Sequence, residues 1–190
     1  MKRSIFLKQI SILTAGSAII PSSIMAKPTY LKKLLPEVGI QLFSIPLLLN
    51  KDFEKSISMI SKMGYTYLEF FGPYYFSAQS AKDNIKNYPF PPSDNPISGF
   101  YGNQARDVKN VLSDYNLKSP SLHTDLDTLE NHMGELAKGA LECGAEFVVL
   151  PAIPPNQRTS IDDYKRIADR FNLIGLSAKK EEIGRASCRE

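Results

Sequence analysis

Cysteine, histidine and net charge are all scarce in this sequence, and each scarcity removes a class of protein. Two cysteines in 190 residues cannot build a disulfide scaffold. Two histidines, with no acidic, thiol or imidazole side chains grouped at metal-ligand spacing, give the chain no metal cluster of its own. The apolar run from about Ile10 to Ile20 is well under the roughly 20 residues of a bilayer span, which argues against a permanent transmembrane anchor. Of 23 basic and 20 acidic side chains, three basic ones fall in residues 1–26 and two of each sign in residues 182–190, which leaves 18 of each between. Nucleic-acid binding normally carries a basic footprint, and residues 27–181 lack that bias. What the chain does have, 43% hydrophobic and 23% charged residues with no long low-complexity tract, suits one soluble globular domain with a sizeable core.

The first 26 residues stand apart. Lys2, Arg3 and Lys8 precede the apolar run, and small or neutral residues continue to Ala26. This is the layout of a secretory signal peptide, with cleavage expected after Ala26 and export to the periplasm as the consequence. The Phe6-Leu7-Lys8 triplet resembles a twin-arginine signal, but only Arg3 stands where two arginines are expected, so the export route is open.

From Glu37 onward, strand and helix signals alternate. VGIQLFSI (Val38 to Ile45) is a nearly continuous apolar run suited to a buried strand. Apolar residues at helical spacing then predict a helix over Asp52 to Met63, capped by Asn50 or Asp52 and stopped by Gly64. TYLEFF (Thr66 to Phe71) is a second strand. A helix from about Gln104 leads to LKSPSLH (Leu117 to His123), a third strand weakened by Pro120. Asp127 with Glu130 resembles a capping box for a helix ending at Gly144, and EFVVL (Glu146 to Leu150) is the fourth strand. Ser160 with Asp163 caps a fourth helix, with Ile161, Tyr164, Ile167, Phe171, Ile174 and Ala178 as its stripe. Four β-α units in succession imply an α/β fold with a parallel sheet and right-handed crossovers. Between the second strand and second helix lies a long connection, Gly72 to Asn103, dense in aromatics, Pro and Gly. Its Tyr74, Tyr75, Phe76, Phe100 and Tyr101 form either an apolar wall or lid over a site or a surface excursion packed by its own rings.

VGIQLFSI, the helix ending KMGY, TYLEFFG, SLHTDL and the helix ending ECGAEFVVLP resemble, in order and spacing over about Val38 to Lys180, the first half of the sugar phosphate isomerase/epimerase group, the xylose isomerase-like barrels. The resemblance implies a (β/α)8 TIM barrel represented by about four β-α units, with residues 27–181 as its N-terminal half. It also marks Glu182 to Glu190 as foreign. Barrel relatives continue with a fifth strand, whereas EIGRASCRE has no strand pattern and back-translates to a common sequencing-library adaptor, so these residues read as an assembly artefact.

Barrel sites form at the C-terminal ends of strands, which singles out Glu69, Phe71, His123 and Gln41 as substrate-binding candidates. A carboxylate within an apolar strand is costly without a partner, so Glu69 binds a sugar hydroxyl, orients a metal ligand or pairs with a nearby cation. His123, followed by Asp125, faces the pocket by resemblance, and metal ligation is its lesser role. Gln41 and Phe43 point the same way by strand alternation. PAIPP after the fourth strand lines the mouth, while His132 and Cys143 read as a surface residue and a small buried hydrophobe.

The activity implied by the resemblance is metal-assisted proton transfer on a carbohydrate, with Mn, Mg, Co or Zn as the divalent ion and a small carbohydrate as the partner. The paired glutamates and metal ligands of that chemistry are expected beyond residue 190, so this chain itself is expected to be inactive. Two alternatives compete: a non-catalytic carbohydrate-binding protein, and a metal-dependent endonuclease of the abasic-site type.

Overall fold

The computed structural model describes residues 37–91, 93 and 96–187, so residues 1–26, where the sequence reading expects a signal peptide, lie outside the described residues. The sheet is parallel and runs in chain order through β1 (Gly39–Gln41), β2 (Tyr67–Phe71), β3 (Lys118–His123), β4 (Phe147–Leu150) and β5 (Gly184–Ser187). Sequential order is the barrel pattern; a doubly wound sheet reverses direction at a switch point. The helices are α1 (Pro46–Lys51), α2 (Phe53–Lys62), α3 (Gln79–Asn84), α4 (Ala105–Asp114), α5 (Leu126–Asn131), α6 (Met133–Cys143) and α7 (Ile161–Lys180). The principal crossover helices pack side by side, α2 on α4, α4 on α6 and α6 on α7. The core includes Leu68 and Phe70 of β2, Leu122 of β3 and Val148 of β4, all essentially inaccessible, together with Ile57, Val108 and Leu136 from the helices. Among the described residues no helix is long and apolar enough to cross a membrane.

The elements depart from the sequence pattern in four places. First, the initial strand stops at Gln41, not Ile45. The Gln41 side chain accepts from Phe43 N–H and starts a 3₁₀ turn over Leu42–Ser44, and Pro46 then opens α1, where its fixed φ and missing N–H are tolerated. Second, Pro120 is accommodated by a bulge. Tyr67 pairs with Lys118 and Glu69 with Ser121, so two residues of β3 oppose Leu68 alone.

Third, the expected third helix is two helices with a break at His132. The working cap is Asp125, which accepts from Thr128 N–H at 2.9 Å, while Asp127 is turned to Ser80 and Asn131. Fourth, Gly184–Ser187 forms β5, where the sequence shows no strand period. Ladder hydrogen bonds come from backbone groups, and a segment leaving α7 beside the open edge of β4 meets that demand with few side-chain requirements. Elsewhere the signals hold: Asp52 caps α2, and Ser160 with Asp163 forms a reciprocal capping box on α7. Of the α7 stripe, Ile167, Ile174 and Ala178 are buried, whereas Ile161 and Tyr164 are exposed.

The long connection folds onto itself. Tyr74, Phe76, Phe100 and Tyr101 are buried, and Tyr74 has both Phe76 and Phe100 at ring-centroid distances of 5.0 Å. They are core, and only Tyr75 of the five is exposed.

Candidate functional site

The strand register places the polar candidates in adjacent rows. Gln41 pairs with Glu69 and Glu69 with Ser121 in one row; Phe71 pairs with His123 in the next. Residues two apart in a strand share a face, so His123 and Ser121 project together beside Glu69. His123 Nε2 lies 2.8 Å from Glu69 Oε2 and donates to it, and Ser121 Oγ donates to Glu69 Oε1. On the other side of the ring, Gln41 Nε2 approaches His123 Nδ1 at 3.3 Å. The side chains of Gln41, His123, Glu69 and Ser121 therefore form one continuous hydrogen-bonded chain across three strands.

Burial alone would raise the pKa of Glu69, but hydrogen bonds from His123 and Ser121 outweigh it and hold the carboxyl below its ordinary value. Glu69 is thus ionised with both oxygens engaged by the protein. It serves to hold the imidazole rather than to reach outward.

The network borders a cavity of about 450 Å³ whose wall includes Gln41, Phe43, Phe71, His123, Asp125 and Pro151, with Asn84 and Tyr88 closing it from the long connection. Phe43 is the aromatic hub, with its ring centroid 5.1 Å from that of Phe71 and 5.9 Å from that of Tyr88. Phe43 and Tyr88 remain more than 40% exposed, so the rim offers uncommitted ring surface to a ligand. A larger cavity of about 720 Å³ lies under the long connection, but its wall brings no histidine or carboxylate. The smaller one, at the C-terminal strand ends, has the chemistry.

Three of the four sequence candidates, Gln41, Phe71 and His123, line this cavity, and Glu69 stands behind His123. Tyr88, Asn84 and Ser121 were not singled out by sequence. Ser121 carried a usable signal, since it sits two residues before His123 on the same strand face. Tyr88 and Asn84 carried none, because the path of a long connection is not periodic.

A divalent metal does not fit the residues present. Among the described residues no three His, Cys, Asp or Glu side chains converge, both nitrogens of His123 are occupied by protein partners, and Asp125 is spent on Thr128. His132 stands at the helix break and Cys143 is buried and free, its thiol pushed up to about 12 by burial despite the opposing charge of Lys109.

Solved structures share this architecture. A sugar phosphate isomerase/epimerase from Parabacteroides distasonis ATCC 8503 superposes with a TM-score of 0.60 and 21% identity over 90% of this chain and 54% of that one. A second structure described in the same words, from the same organism, gives 0.59 and 20% over 80% of this chain and 54% of that one. An IolI protein with a binding zinc atom gives 0.50 and 12% over 80% of this chain and 51% of that one. No protein-family model matches the sequence, and no curated protein does. The chain shares its parallel β/α fold with the structures described as sugar phosphate isomerases/epimerases, and it spans about half their length.

Proposed function

We propose that this chain is the substrate-facing N-terminal half of an exported sugar or sugar phosphate isomerase/epimerase. The observation that carries this reading is the Gln41–His123–Glu69 network set in the wall of an aromatic-rimmed cavity at the C-terminal strand ends. Aromatic rings supply apolar surface for the C–H face of a sugar, and the polar row supplies orientation. The barrel likeness to proteins described as sugar phosphate isomerases/epimerases supports the substrate class, and the basic-then-apolar layout of residues 1–26 supports export to the periplasm.

In the complete protein the reaction is removal and return of a carbon-bound proton beside a sugar carbonyl, with a divalent metal (Mn, Mg, Co or Zn) held by residues other than those described here. Zinc in the IolI structure supports metal use. Within this chain the residues bind and orient: Phe43, Phe71 and Tyr88 receive the sugar, and Glu69 fixes His123 in the wall. The test is to incubate the purified chain with a panel of aldoses, ketoses and their phosphates in the presence of Mn²⁺, Mg²⁺ or Co²⁺, following binding by calorimetry and epimerisation by chromatography. We expect saturable sugar binding without turnover. Metal-dependent turnover would place the proton-moving groups inside this chain, and binding of abasic DNA without sugar binding would replace the reading with the nuclease alternative.

A further inference from the structure

The orientation of one amide settles the protonation pattern of the site. Gln41 Oε1 accepts from the backbone N–H of Phe43 at 2.6 Å. A backbone N–H is only a donor, so the atom facing it must be the carbonyl oxygen, and the amide nitrogen is thereby turned to His123 Nδ1. That nitrogen is only a donor too. Nδ1 must accept, and the ring proton belongs on Nε2, where the ionised Glu69 carboxylate lies 2.8 Å away. The two contacts specify the same tautomer from opposite sides of the ring. They are also unequal: the Glu69 contact is short and charge-assisted, while the Gln41 contact at 3.3 Å is near the limit of a hydrogen bond. Gln41 and His123 line the cavity and Glu69 does not, so the imidazole and its Gln41 contact belong to the cavity wall.

We propose that Gln41 is the positioning residue of the site: anchored by the Phe43 N–H, its amide donates to His123 Nδ1 and so fixes the ring proton on Nε2 against Glu69. This deepens the reading of the cavity as a sugar site and rests on it, because a ligand hydroxyl that displaces the weak Gln41 contact meets an acceptor nitrogen on a ring held by a carboxylate. It commits Gln41 to the histidine, where the sequence had suggested a direct contact to substrate.

The test needs no ligand, so its outcome is independent of whether the cavity binds sugar. The full chain, labelled with ¹⁵N-histidine, is observed by long-range ¹H–¹⁵N correlation at about pH 8, above the ordinary imidazole range, with His132→Gln used to assign His123. The expected spectrum of the parent shows Nδ1 as the unprotonated, pyridine-type nitrogen and Nε2 as the protonated one. In Gln41→Glu one carboxylate oxygen still accepts from Phe43 N–H and the other now faces Nδ1, so Nδ1 of His123 carries a proton and loses its pyridine-type signal. A parent spectrum with the proton on Nδ1 overturns the proposal without any variant. A folded Gln41→Glu whose His123 pattern matches the parent overturns it as well, since it would show that residue 41 does not govern Nδ1.

Discussion

Glu69 sits where burial and hydrogen bonding pull in opposite directions, and the balance has a consequence for stability. Its folded pKa is below the ordinary value of about 4.3. The contribution is therefore fully present above that unfolded value and is lost as pH falls through the folded one. Glu69→Gln removes the dependence. Urea midpoints of parent and variant, compared at about pH 7 and about pH 3, should fall less on acidification in the variant, and equal falls would place Glu69 outside the network. Cys143 makes a second prediction. With its thiol buried and pushed up to about 12, it should react with Ellman's reagent at least about tenfold more slowly in the folded protein than after denaturation, measured in a Cys188→Ser background. Equal rates would mean that the Cys143 thiol is open to solvent in the folded protein.

Helix α6 carries a pair of glycines that separate packing from propensity. A Cβ on Gly139 would lie 2.2 Å from the ring of Phe76, which is itself wedged among Tyr74, Tyr75 and Phe100 and cannot yield. A Cβ on Gly134 meets nothing nearer than 3.9 Å. Gly139→Ala should cost about 1–3 kcal/mol through overpacking despite better helix propensity, whereas Gly134→Ala should gain up to about 1 kcal/mol; denaturant titration of both tests the contrast, and equal effects would deny the Phe76 contact. At this scale the sequence was informative wherever a local signal had no rival. Ser160 and Asp163 form the box that the sequence indicates, and α7 begins where they predict. Asp125 and Asp127 compete two residues apart, the nearer one to His123 wins the cap, and the helix boundary shifts with it. The strand Gly184–Ser187 was invisible because its pairing is made by backbone atoms alone.

Across the whole molecule, repetition made the sheet readable: four strand-helix signals in a row admit few arrangements, and the sequential order follows. The site was readable only as a set of strand-end residues. Gln41 and His123 are 82 positions apart, and their contact, like that of His123 with Glu69, depends on register, the bulge at Pro120 and the turn that orients the Gln41 amide, none of which has a periodic signature. The likeness to known barrels, at 21% identity, is carried by that architecture, while the ligand must be established on the cavity itself. The most direct measurement is a two-dimensional amide NMR titration of the chain with neutral sugars and sugar phosphates. Chemical-shift changes should saturate and cluster at Gln41 to Ser44, Phe71 to Gly72, His123 to Asp125 and the residues beside Pro151, and His123→Ala should abolish them. Absence of any saturable change, or changes confined to the opposite strand ends around Ser119 and Gly144, would contradict the assignment of this cavity as a sugar site.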